Sequence, residues 1–222
     1  MATVLVIGAS RGIGREFVRQ CRAAGDRVIA TARDAKGLEA IEALGAKALD
    51  VDVAQPASIG ALASQLDGAK IDLALYVAGV YSTAGAQEAP SQDDFDRVMH
   101  TNVLGAMQAI PEVAPLVAAA HGRFVFITSE MGHIAGTGSS FGWLYRASKA
   151  ALNMVVKAAS HEYPQAIFLA ISPGWVKTDM GGPGAPLTVE RSVGDMRRAI
   201  AAARRADSGA FLDHNGRPFD GW

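Results

Sequence analysis

Short runs that are apolar on both faces recur along this chain, separated by longer Ala-rich helical stretches. A strand apolar on both faces must be covered on both, which happens when a parallel sheet is sandwiched between its crossover helices. The candidate strands are Thr3–Ile7, Arg27–Thr31, Ala46–Val51, Ile71–Val77, Arg123–Thr128, Ile167–Ile171 and Ala210–Leu212. Between them, helices are expected over Gly12–Ala24, Lys36–Leu44, Ala57–Leu66, Gln92–Ala120, Leu144–Tyr163 and Val189–Arg205. The alternation predicts an α/β fold: one doubly wound parallel sheet of about seven strands with helices on both faces.

Composition narrows the class further. With 222 residues, 50% of them hydrophobic and 19% charged, the chain can bury a large core, and disorder is excluded. No linker-like stretch divides it, so a single domain over 1–222 is expected. Lys and Arg (21) balance Asp and Glu (22), which leaves no basic footprint for nucleic acid. Apolar runs stop well short of the ~20 residues of a membrane span, so no membrane partner is expected. The opening MATVLVIGAS enters a strand directly, without the basic flank or cleavage pattern of a signal peptide. A cytoplasmic protein is expected. The lone cysteine, Cys21, excludes an internal disulfide framework, and the five histidines show no paired metal spacing.

The first strand runs straight into a glycine turn, VLVIGASRGIGREF. Gly8 permits a tight turn, Gly12 lets a pyrophosphate approach the backbone, and Gly14 lets helix and strand pack closely. The N-terminus of the following helix then faces the anion. The expected fold is therefore of the Rossmann dinucleotide-binding type. The breaker-rich stretch Gly174–Leu187 follows a buried strand and should lie outside the carboxyl edge of the sheet, where such folds bind ligands.

The G-x-x-x-G-x-G spacing resembles the short-chain dehydrogenase/reductase family, and further motifs extend the likeness from residue 3 to about residue 212. Tyr145-Arg146-Ala147-Ser148-Lys149 opens a helical run, with Tyr and Lys one turn apart on one face. A phenol of pKa ~10 is a poor acid–base catalyst at neutral pH unless a cation stabilises its phenolate. The Lys149 ammonium supplies that cation. The resemblance implies that Lys149 also bonds the nicotinamide ribose, that Ser129 orients the substrate oxygen, and that Asn102 holds a water in the proton relay. Thr128 competes with Ser129 for the substrate-facing role. The cofactor-binding set implied is Gly8, Ser10, Arg11, Gly12, Ile13, Gly14, Arg33, Asp52, Val53, Ala78, Gly79, Tyr145, Lys149, Pro173, Gly174, Val176 and Thr178. Asp52 is the expected adenine contact, with Asp50 its neighbour and rival, and a plain helix N-terminal charge the alternative.

Three departures stand out. Ile7 replaces the usual Thr before Gly8, Tyr76-Val77-Ala78-Gly79 replaces Asn-Asn-Ala-Gly, and Tyr145 lies 16 residues after Ser129. The lost Asn puts a strand-bracing hydrogen bond in doubt. The longer Ser–Tyr gap and the segment after Ser129 resemble a carbonyl-reductase-like branch that includes the C-factor proteins. His133, Trp143 and Trp175 could line the substrate cleft, with core packing the alternative for the tryptophans.

The reading is an NADP(H)-dependent oxidoreductase that interconverts a carbonyl and a secondary alcohol. NADP(H) is favoured over NAD(H) because the second strand ends Thr31-Ala32-Arg33, with no carboxylate for a ribose hydroxyl. Arg11 and Arg33 could each give a 2′-phosphate charge-assisted bonds worth about 1.5–3 kcal/mol. A solvated Arg33 paired with Asp34 is the competing reading. The partners expected are a small carbonyl or alcohol substrate and, from the resemblance, further copies in a homodimer or homotetramer. A nucleotide-binding regulatory or signalling protein with little turnover is the alternative function. A lyase or epimerase on the same fold would need a larger C-terminal substrate domain.

Overall fold

Strand and helix faces divide the apolar residues between two cores. A computed structural model describes residues 1–66 and 68–222. Its strands are β1 (Thr3–Ile7), β2 (Arg27–Ala32), β3 (Lys47–Asp50), β4 (Leu73–Tyr76), β5 (Arg123–Ile127), β6 (Ile167–Ile171) and β7 (Ala210–Leu212). They form one seven-stranded sheet, parallel throughout, in the order β3-β2-β1-β4-β5-β6-β7. The order reverses between β1 and β4, which opens a crevice at their carboxyl ends.

Side chains of successive strand residues point to opposite faces. Val4, Val6, Val28, Ala30, Val125 and Leu169 face α1 (Gly12–Ala23), α2 (Ala35–Glu42) and α8 (Val189–Ala202). Leu5, Ile7, Phe124, Phe126 and Phe168 face α3 (Pro56–Gly60), α4 (Leu62–Gln65), α6 (Gly105–Ala119) and α7 (Trp143–Glu162). This is the doubly wound Rossmann architecture that the alternating pattern predicts.

Two of the expected helices are not continuous. Gln92–Ala120 divides into α5 (Gln92–Met99), a π-turn over His100–Leu104, and α6. The break is a register change within one rod, which apolar periodicity does not reveal. Ala57–Leu66 likewise divides into α3 and α4, and α8 ends at Ala202, ahead of a 3₁₀ turn at Arg205–Asp207.

The glycine turn is sterically compulsory. A Cβ on Gly14 would lie 2.1 Å from the Gly8 carbonyl oxygen, and one on Gly8 would lie 2.7 Å from the Ala78 backbone. Ile7 is fully buried in place of the expected Thr, and Thr31 of β2 supplies the missing hydroxyl, accepting from Gly8 N–H at 3.0 Å.

On the same face as α1, α8 carries a buried carboxylate. Asp195 accepts from Arg191 Nε at 2.8 Å and from Arg198 Nη2, with His214 Nδ1 at 3.4 Å. Burial alone would raise its pKa, but Arg191, Arg198 and His214 more than offset this and leave it below the ordinary carboxylate value. The stabilisation is therefore present above the unfolded pKa of about 3.9 and is lost as pH falls through the lower folded value. Asp195→Ala should cost about 1–3 kcal/mol at pH 7 in urea melts, and its gap to wild type should narrow below about pH 4. A gap independent of pH would contradict the ionic origin.

Candidate active site

Four polar side chains from three elements meet at the carboxyl edge of β4 and β5. Ser129 follows β5 and caps a 3₁₀ turn (Glu130–Gly132), its Oγ accepting from Met131 N–H at 3.1 Å. Ser172, after β6, fixes the same turn by accepting from Glu130 N–H at 2.9 Å. Tyr145 and Lys149 lie one turn apart on α7, both buried, with the Lys149 Nζ 5.6 Å from the Tyr145 ring centroid. Lys149 Nζ donates to the Ile127 carbonyl at 3.0 Å.

Asn102 enters from the π-turn and carries no solvent exposure. Its Oδ1 accepts from Val80 N–H at 2.8 Å, and its Nδ2 donates to the Val80 carbonyl and to Ser148 Oγ, each at 2.9 Å. Ser148 Oγ in turn donates to the Tyr145 carbonyl at 2.7 Å. Gly79 borders both groups: a Cβ there would stand in ordinary contact, 3.4 Å from Asn102 Oδ1 and 3.5 Å from Lys149 Nζ.

Burial governs the electrostatics. It pushes the Tyr145 phenol well above its ordinary value, while the Ser129 hydroxyl pulls it back and the nearby Tyr81 adds a small upward push. Burial also lowers Lys149 from 10.5 to about 8. Both shifts have the same leading cause, since burial takes water away from the charged form of each group.

Thr128, the competing hydroxyl, is committed elsewhere: its Oγ1 donates to Asn153 Oδ1 at 2.7 Å, both residues buried. His133 turns away to the C-terminal segment, where its Nε2 meets the Asp220 carbonyl at 2.9 Å and its ring packs on Phe219. Trp175 is exposed rather than core, donating from Nε1 to the Gly181 carbonyl at 2.8 Å. Trp143 is half-exposed and lines a groove of about 470 Å³ with Met131, Ile134, Arg146 and Ala150. That groove lies on the α7 face turned away from Tyr145.

The crevice between β1 and β4 gathers the remaining candidates. Gly8, Ser10, Arg11, Gly12, Ile13 and Gly14 form the turn into α1, facing Ala78 and Gly79. Arg11 provides no side-chain cap, and no acidic residue stands in the first turn of α1. Asp52 and Val53 follow β3. Asp52 Oδ1 accepts from Ala54 N–H at 3.0 Å, a local turn that Asp50, at the strand end, does not make. Pro173, Gly174, Val176 and Thr178 form the opposite wall, with Thr178 Cγ2 3.5 Å from where a Gly12 Cβ would be. Ser192 of α8 holds this wall from behind, donating to the Pro173 carbonyl at 2.6 Å.

The two arginines differ. Arg11 Nη1 pairs with Asp179 Oδ2 at 2.9 Å, both largely exposed. Arg33 is exposed and makes no ion pair among the described residues, because Asp34 instead caps α2 by accepting from Gly37 N–H at 2.8 Å.

A family profile described as short chain dehydrogenase matches residues 2–185. The chain belongs to that family. Within it the chain is carbonyl-reductase-like, as its relatives and structural neighbours indicate. It is 35% identical over 159 residues to the protein named C-signal from Myxococcus xanthus, covering 70% of this chain and 96% of that one. Its fold superposes on carbonyl reductase Sniffer of Drosophila melanogaster with a TM-score of 0.91 at 26% identity, over the full length of both. An NADPH-bound carbonyl reductase from chicken fatty liver gives 0.91 at 30% identity, covering 100% of this chain and 94% of that one.

Two neighbours of this short-chain dehydrogenase site escaped the sequence. Tyr81 meets the Tyr145 ring edge-on with centroids 4.6 Å apart, and Ser148 links Asn102 to the backbone of Tyr145. Ser148 lies inside the Tyr-x-x-x-Lys run and was legible as a residue, but its partner 46 positions away was not. A direct check on the dry environment is the titration of Lys149 by NMR in the cofactor-free protein. A midpoint near 8 is expected; one above 10 would mean that water reaches the ammonium.

Proposed function

We propose that this short-chain dehydrogenase is an NADP(H)-dependent oxidoreductase that interconverts a carbonyl and a secondary alcohol. The observation that carries the proposal is the convergence of the half-buried Ser129 with the buried Tyr145, Lys149 and Asn102 in one cluster beside the glycine turn. The residues suit a dinucleotide. The first turn of α1 has N–H groups with no side-chain acceptor and no acidic neighbour, and Gly8 and Gly14 let the turn pack against Ala78 and the start of α1 too closely for a side chain. Gly8, Ser10, Gly12, Ile13 and Gly14 would hold the pyrophosphate, Asp52, Val53, Ala78 and Gly79 the adenosine, and Lys149 with Pro173, Gly174, Val176 and Thr178 the nicotinamide end.

When bound, the nicotinamide supplies or accepts the hydride. Tyr145 gives a proton to the substrate oxygen in reduction and takes it back in oxidation. Ser129 donates a hydrogen bond to that oxygen and polarises the carbonyl. Lys149 offsets the negative charge that forms on the phenol as the proton leaves, an attraction strengthened by the absence of water. Asn102 anchors the relay that returns a proton to Lys149. A phenol held above its ordinary pKa releases its proton reluctantly, so the charge of Lys149 and the hydrogen bond of Ser129 are needed at the moment of transfer.

NADP(H) preference is supported by the exposed guanidinium of Arg33, which makes no ion pair among the described residues, and by the lack of a carboxylate at the end of β2. The exposed Arg11–Asp179 pair contributes little, so a 2′-phosphate can compete for Arg11. NADP-bound or NADPH-bound relatives among the solved structures point the same way. Leu104, Met107 and Met154 leave apolar surface exposed around α6 and α7, which supports a homodimer or homotetramer. The likeness to a protein named C-signal favours a signalling role as the second reading. NADPH oxidation against a panel of aldehydes, ketones and quinones separates the two.

Tyr145→Phe should lower turnover by about 10²–10⁴ with NADPH affinity intact, and near-wild-type turnover would eliminate it as the acid. Wild type should have a kcat/KM for NADPH at least about tenfold above that for NADH, and Ala32→Asp/Arg33→Ala should erase that preference. Equal use of NADH by wild type would sink the cofactor assignment.

A further inference from the structure

A buried phenol that takes no part in the proposed chemistry stands beneath the π-turn. Tyr76 ends β4, is fully buried, and donates from Oη to the Thr101 carbonyl at 2.8 Å. Its ring stacks on Phe126 with centroids 5.9 Å apart. Burial and the negative charge of Asp52 both push its pKa up, so the hydroxyl remains a donor.

The acceptor has lost its helical partner. In an uninterrupted α-helix the Gly105 N–H would bond the carbonyl four residues back, that of Thr101. Here it donates to the His100 carbonyl instead, the i→i+5 pattern of a π-turn. The Tyr76 hydroxyl fills the place that this N–H vacated. Residues 100–105 thus have two competing registers. In one, Thr101 is satisfied by Gly105; in the other, by Tyr76. A buried carbonyl left without a donor is costly, so the phenol weights the balance toward the π register. Gly105 fits the same arrangement: a Cβ there would come within 2.5 Å of Tyr76 Oη and 2.6 Å of the Val53 carbonyl.

Register matters because Asn102 lies inside the turn. One residue of helix corresponds to a rotation of about 100°, enough to carry its amide away from Val80 and Ser148. We propose that Tyr76 is a positioning residue, whose hydroxyl holds the π register and so keeps Asn102 between Val80, Ser148 and Lys149. It makes good the brace lost with the family's Asn-Asn dipeptide, by a different bond to a different element. Its catalytic consequence rests on the proposed role of Asn102; its structural half does not.

Tyr76→Phe keeps the stacked ring and removes only the donor. In the cofactor-free protein, the side-chain amide signal of Asn102, assigned by its loss in Asn102→Ala, reads the position directly. It should shift and exchange faster with solvent in Tyr76→Phe. Turnover should fall about tenfold, with KM and the NADPH dissociation constant within about twofold of wild type. In the Asn102→Ala background the same substitution should add no further loss. An unmoved Asn102 amide, or a lower melting temperature with additive losses, would overturn the proposal. If Asn102→Ala itself turns over like wild type, the relay reading fails, and the amide signal alone decides the role of Tyr76. Should Tyr76→Phe not fold, Gly105→Ala replaces it, since its Cβ crowds the phenol: a displaced amide supports the proposal and an undisturbed one overturns it.

Discussion

The side-chain amide of Asn102 ties together the segments that face the cleft. Its three hydrogen bonds join the exit of β4 at Val80 to α7 at Ser148, while its backbone belongs to the rod that α5 and α6 share. A buried amide is costly unless satisfied, so these bonds fix the separation of the elements that make them. A second buried amide, Asn153, accepts from Thr128 and donates toward the Gly132 carbonyl at 3.4 Å. Between them they hold α7, which carries Tyr145 and Lys149, against the end of β5, which carries Ser129. Two buried amides thus set the geometry of the cluster.

Burial then acts on the two ionisable members in opposite directions. It raises the phenol and lowers the ammonium, in both cases because the charged form loses its water. The neutral phenol keeps its proton until a strong enough acceptor draws it off, and Lys149 is still mostly protonated at neutral pH. The same dryness that makes a phenolate costly also makes the attraction between phenolate and ammonium strong once a proton leaves. A solvated Tyr–Lys pair on a helix surface would have neither property.

The floor and rim of the crevice are held by different means. Gly8, Gly14 and Ala78 meet backbone to backbone, at distances that leave no space for a side chain. The wall over residues 173–188 is anchored from behind by Ser192 and by a backbone bond from Lys177 N–H to the Leu187 carbonyl at 2.8 Å, and at its outer edge by the exposed Arg11–Asp179 pair. Close packing makes the floor rigid, whereas a solvent-screened pair leaves the rim free to adjust.

The doubly wound sheet was legible because its cause is local: strands apolar on both faces, glycines at fixed offsets after β1, and a Tyr and Lys at helical spacing are all written within a few residues of each other. So was the candidate set of Ser129, Tyr145, Lys149 and Asn102. The π-turn, the bond from Tyr76 to Thr101, the diversion of Thr128 to Asn153, the turning of His133 toward Asp220 and the pairing of Arg11 with Asp179 were not. The four bonds join residues far apart in the chain, and all five features depend on which of several available donors and acceptors is nearest once the sheet is closed. The order of elements follows from hydrophobic pattern alone, which is additive along the sequence. The partners of buried polar groups follow from three-dimensional proximity and the loss of water, and only the tertiary structure decides those.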